Sequence, residues 1–95
     1  MVDGMNVFTS TGTVALSGTV TLTPDLQDSA DILIANDSST SGADFTVNFN
    51  ELTAASQTIT VKAGEVFSTD FDVTKVKITN TTAYAIPYRV VIRGR

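Results

Sequence analysis

Ninety-five residues carry ten acids, six bases and no Cys, His or Trp. That composition removes disulfides, thiolate or imidazole metal sites and His-based acid–base chemistry, and leaves a single domain with a thin stability margin. A net charge of −4, with the bases in no dense run, argues against nucleic acid as a partner.

Residues 1–12 read as an N-terminal arm, with Phe8 its one large aromatic anchor and Thr9-Ser10-Thr11-Gly12 flexible. On that reading, deleting the arm leaves residues 13–95 folded as a β-sandwich domain. From Thr13 to Thr23 the apolar positions Val14, Leu16, Val20 and Leu22 share one parity, as in a half-buried strand. Gly18 on that face signals a bulge, a bend or a close backbone approach. Pro24-Asp25 breaks the run, and Asp31-Ile32-Leu33-Ile34-Ala35 is a continuous apolar stretch suited to a strand buried on both faces. Asn36 to Gly42 is a loop.

Asp44 to Asn50 alternates with Phe45, Val47 and Phe49 inward, and Gln57 to Ala63 with Ile59 and Val61 inward. Ala63-Gly64-Glu65 is a tight turn, where Gly supplies a positive φ. Val66 to Phe71 follows with Phe67 and Phe71 on one face, then Lys75 to Thr79 with Val76 and Ile78 inward. Ala83 to Arg93 closes the chain, and Pro87 places the start of that strand at an edge or a bulge. Seven or eight short strands at this spacing predict an all-β, single antiparallel β-sandwich of jelly-roll or immunoglobulin-like kind, with a closed small barrel as the alternative.

Charge is segregated along the chain. Residues 1–60 hold seven acids and no base, while residues 61–95 hold all six bases and three acids, so the halves sum to −7 and +3. Either strands of the two halves pair within one sandwich, or acidic and basic ends meet on neighbouring subunits. Candidate chemistry is sparse. Ser and Thr are abundant, but no base is placed beside them, so no enzyme is predicted. Asp25, Asp28 and Asp31 recur at steps of three and could join loop carbonyls around Ca²⁺, although a polar turn explains them as well and no cofactor is predicted. Asp70 and Asp72 flank Phe71 and read as exposed. Asn36-Asp37-Ser38 and Asn80-Thr81-Thr82 match the glycosylation sequon but read as turn chemistry. Sugar-binding faces generally use Trp and Tyr, and Tyr84 and Tyr88 are the only tyrosines. They read better as interface or rim residues. The candidate interface set is therefore Phe8, Tyr84, Tyr88, Arg93 and Arg95. Outward faces are rich in Thr and poor in charge. With open edges such faces are a hazard in a free monomer and less so in an assembly.

No run approaches the ~20 apolar residues of a membrane span. The first six residues lack the basic and apolar parts of a signal peptide, which points to synthesis in the cytoplasm of the producing cell.

Three stretches carry a family resemblance. Asp31-Ile32-Leu33-Ile34-Ala35-Asn36-Asp37, Val61-Lys62-Ala63-Gly64-Glu65-Val66-Phe67 and Tyr88-Arg89-Val90-Val91-Ile92-Arg93-Gly94 resemble small virion proteins of tailed bacteriophages, capsid decoration (cement) proteins among them. The N-terminal third matches least. The resemblance implies a non-enzymatic virion component, made in the host cytoplasm and bound to the outer surface of the phage head. Its partners would be the major capsid protein and itself, as a homo-oligomer and often a trimer, with no nucleic acid and no membrane. A head fibre, a tail or head-completion protein and a carbohydrate-binding β module are the alternatives.

Overall fold

The computed structural model describes residues 6–26, 29–54, 56–70 and 72–95. Eight strands form there: β1 (Asn6–Val14), β2 (Thr19–Leu22), β3 (Ser29–Asn36), β4 (Phe45–Phe49), β5 (Gln57–Val61), β6 (Val66–Thr69), β7 (Val76–Thr79) and β8 (Ile86–Gly94). All pairings are antiparallel, in two four-stranded sheets of order β1-β8-β3-β6 and β2-β7-β4-β5. This is the expected all-β sandwich, and its strand order selects the jelly roll. The first four strands run back along the last four as one antiparallel ribbon, which is then rolled into two layers. Each of the six ladders consequently joins a strand of the first half to a strand of the second.

The alternating stretches fold as their parity dictates. On β4, Phe45, Val47 and Phe49 are buried, and on β7, Val76 and Ile78 are buried. They meet Ile32 and Ile34 of β3 and Ile86, Tyr88, Val90 and Ile92 of β8 in one core between the sheets. Phe49 on β4 packs across the layers on Phe67 of β6, ring centroids 6.0 Å apart. β3 has Ile32 and Ile34 inward, with Ala35 buried and Leu33 half-buried on its other face. Phe71 and Asp28 lie outside the described residues.

Three expectations are corrected. Residues 6–12, read as an arm, are most of β1, which pairs with β8 without interruption from Asn6↔Gly94 to Val14↔Ile86. The run from Thr13 to Thr23 is two strands in different sheets, not one. The chain crosses between layers at Ala15–Gly18, where Ser17 takes φ 55° and the Gly18 N–H donates to Ala15 O at 2.9 Å. A Cβ at Gly18 would lie 2.8 Å from that carbonyl oxygen, so the corner requires glycine. The crossing breaks the parity and leaves Leu16 59% exposed. Finally, β8 is a central strand despite Pro87. Pro87 O accepts from Asp37 N, which turns the polar groups of Pro87 toward β3 just where that ladder ends at Asn36↔Tyr88. The missing N–H therefore takes nothing from the β1 ladder and costs only the bond that would close the β3 ladder at Asp37 O.

Buried asparagines close the loops. Asn36 Nδ2 donates to Ala43 O and Val61 O while its Oδ1 accepts from Ser38 N. Asn50, at φ 56°, donates to Asp72 O and accepts from Thr74 N and Oγ1. Asn80 donates to Val14 O, Ala15 O and Tyr84 O and accepts from Thr82 N and Oγ1. Each side chain satisfies carbonyls that a bend has stripped of ladder partners. The two sequon asparagines, Asn36 and Asn80, are at most 1% exposed, so both are turn chemistry.

Candidate contact surfaces

Strand register arranges the outer faces into rows. On the β1-β8-β3-β6 sheet, one row runs Thr9, Val91, Leu33, Ser68. The next runs Thr11, Arg89, Ala35, Val66, and on the other side lie Val7, Arg93 and Asp31. Val91 and Leu33 thus form a half-buried apolar centre, with Val7 and Val66 more than half exposed toward the two edges. Arg93–Asp31 and Arg89–Asp37 ion pairs bracket it, the latter with Nε–Oδ2 at 2.7 Å. A groove of ≈ 360 Å³ is lined by Leu33, Ser68 and Val91 together with Asp31 and Arg93. The Asp37 carboxylate bonded to Arg89 raises the guanidinium pKa above its usual value.

The other sheet presents hydroxyls. Its outer face carries the row Thr19, Thr79, Thr46, Thr60 across all four strands, and beside it Thr21, Lys77, Asn48, Thr58. Asn48 Nδ2 bonds Thr58 Oγ1 at 2.7 Å and Ser56 Oγ at 3.1 Å. Glu51, in the β4–β5 turn, reaches Lys77 at 3.3 Å and Lys75 at 3.5 Å. The hydrogen bond from Lys77 holds the Glu51 carboxyl below its ordinary 4.5, with the charge of Lys75 adding to it. At one end of the sandwich the carbonyls of Ala15 and Tyr84 share the Asn80 amide, so Leu16 and Tyr84, 59% and 47% exposed, emerge from adjoining loops.

The candidate interface residues do not converge. Tyr88 is only 6% exposed and belongs to the core, its hydroxyl 3.2 Å from Ser10 Oγ and its ring lying over Gly12. It cannot serve as a rim residue. Phe8 is half-buried on the inner face of β1 and packs against the core. Tyr84 is exposed as expected, Arg93 is exposed and bound to Asp31, and Arg95 is exposed at the chain end. The apolar pair Leu33–Val91 was missed, because only the β3–β8 register brings those two side chains together.

Every ion pair described joins an acid of residues 1–60 to a base of residues 61–95. Three acids of the first half and four bases of the second are thus paired within the sandwich. Among the described residues no three of His, Cys, Asp and Glu converge, and Asp31 of the candidate Ca²⁺ triplet is engaged by Arg93. No helix among them is long and apolar enough to cross a membrane. These surfaces offer shape, hydroxyl rows and fixed ion pairs.

The motif residues of the phage resemblance are accounted for by folding. Asn36 pins the β5–β6 turn through Val61 O, the Gly64 N–H donates to Asn36 O at 3.0 Å, and Asn36 N donates to Glu65 O at 2.9 Å. Gly64 sits at φ 81°, and Glu65 Oε1 accepts from Lys62 N. No protein-family model and no curated protein matches the sequence. Among solved structures, the chain is similar to the Yersinia pseudotuberculosis-derived mitogen, with TM-score 0.59 and 18% identity over 96% of this chain and 87% of that one. It is also similar to a subunit of Bacillus endospore appendages, described as forming a family of disulfide-linked pili, with TM-score 0.51 and 15% identity over 97% of this chain and 90% of that one. At such identities the likeness establishes the fold alone.

Proposed function

We propose that this chain is a non-enzymatic structural subunit that works by contact, and that its assembly is the head of a tailed phage, whose outer surface it decorates and stabilises. The observation that carries the first part is the outer face of the β1-β8-β3-β6 sheet. It has an apolar centre at Leu33 and Val91 inside a rim of ion-paired arginines, the distribution of a protein–protein contact surface. The second part rests on the sequence resemblance, whose three stretches fall on β3, on β5–β6 and on β8. The major capsid protein is the proposed partner, and many copies making the same weak contact accumulate avidity. A small core is tolerable in such a part, because binding adds stability by mass action.

Mixing the purified protein with separated phage heads and tails tests this reading. Co-sedimentation with heads and a higher head melting temperature are expected, with loss of binding on Leu33→Asp. Absence of binding to heads would sink the decoration role, and binding to tails alone would move the chain to another virion position.

A further inference from the structure

We infer that the β1 edge pairs with the β1 edge of a second copy, antiparallel about a two-fold axis centred on Ser10, and joins two four-stranded sheets into one of eight. The inference deepens the assembly reading above and rests on it. Of the four sheet edges, β2 and β6 are four residues long and β5 is five, whereas β1 runs for nine. The short edges end in the usual guards: Pro24 and Asp25 follow β2, Lys62 follows β5, and Glu65 and Asp70 flank β6. From Asn6 to Val14, β1 has no charge, no proline and no break in register.

The direction of its free polar groups follows from the ladder. Pro87 O faces β3, so Pro87↔Thr13 is a pair without hydrogen bonds between its members, and the N–H and C=O of Thr13 point to the open edge. Alternation extends this to Val7, Thr9 and Thr11. In an antiparallel pair centred on Ser10, Val7 faces Thr13 and Thr9 faces Thr11 of the other copy, and all the open donors and acceptors from Val7 to Thr13 meet partners. No other antiparallel register of this segment with itself uses them all. On the inner face Phe8 would stand opposite Gly12 of the other copy, over which that copy's Tyr88 ring lies. A strand that pairs with itself brings any charge close to the axis near its own symmetry mate, which an uncharged strand avoids.

Sedimentation and residue-resolved amide exchange across a concentration series test the pairing. The wild type is expected to reach twice the mass of the 10.0 kDa chain. The amides of Val7, Thr9, Thr11 and Thr13 should gain protection with concentration, while those of Phe8, Ser10 and Gly12 are protected throughout. Thr11→Pro removes one open donor and no β1–β8 bond, and should sediment as a single folded copy. Thr9→Lys with Thr11→Lys should also be single, whereas Thr9→Lys with Thr11→Glu should remain double, because residue 9 faces residue 11 across the axis. A wild type of one copy at every concentration overturns the pairing, as does a mass above two copies. An oligomer indifferent to Thr11→Pro, with the four amides unprotected, overturns it while leaving the assembly reading standing. Failure of head binding strikes that reading separately.

Discussion

Asn80 shows how much one amide can hold. Its Nδ2 is shared by the carbonyls of Val14, Ala15 and Tyr84, and its Oδ1 takes two bonds from Thr82, with Asn80 itself at 0% exposure. Asn80→Ala would remove all five bonds, the buried one to Val14 O among them. It is expected to lower stability by roughly 2–4 kcal/mol, a large share of the ~5–15 kcal/mol of a domain, as read from the urea midpoint. The half-buried Asn48, whose bonds go to the hydroxyls of Ser56 and Thr58, should cost less on replacement by Ala in the same assay. Asn36 and Asn80 were legible as turn residues because Asx turns are local: Asn36 Oδ1 reaches Ser38 N and Asn80 Oδ1 reaches Thr82 N, each two residues on. Their donor sides were not, since Val61 and Val14 are 25 and 66 residues away.

At the scale of elements, β4 and β7 were readable because every inward position is apolar and the period is two. β1 was not. Its inward positions are Asn6, Phe8, Ser10, Gly12 and Val14, a pattern that suggests a loose arm. The ring and hydroxyl of Tyr88 supply what Gly12 and Ser10 lack, from 78 residues along the chain in the case of Ser10. The same contact accounts for Tyr88 being misplaced at a rim. Ion pairs between segments give an acid-sensitive term. Lys77 and Lys75 depress the Glu51 carboxyl below 4.5, so its contribution is complete above the unfolded value and is lost as pH falls toward the folded one. Glu51→Gln should therefore flatten part of the fall in urea midpoint between about pH 6 and pH 3, with little change in the slope at neutral pH.

For the molecule as a whole, the expected outcome of truncation is reversed by the structure. Removing residues 1–12 would take most of β1, open one side of β8 from Gly94 to Tyr88 and strip Phe8 from the core. The shortened chain is expected to lose its cooperative unfolding transition in circular dichroism. A sharp transition near the full-length midpoint would mean that β1 adds little. The sandwich class was legible from strand number and spacing alone. The jelly-roll order was not, because local alternation says which residues of a strand face inward and nothing about which strand lies beside it.

The rule that every ladder crosses between the halves has a consequence for synthesis. While the first half leaves the ribosome, none of its strands has a native neighbour, and β1 must wait for β8, the last of these eight strands. The sandwich can close only after β8 has been made, and so distant a pairing is slow. During that wait the nascent strands are threonine-rich, apolar and open to association. They also carry seven acids and no base. Mutual repulsion would keep waiting chains apart until the basic half arrives and part of that charge is paired.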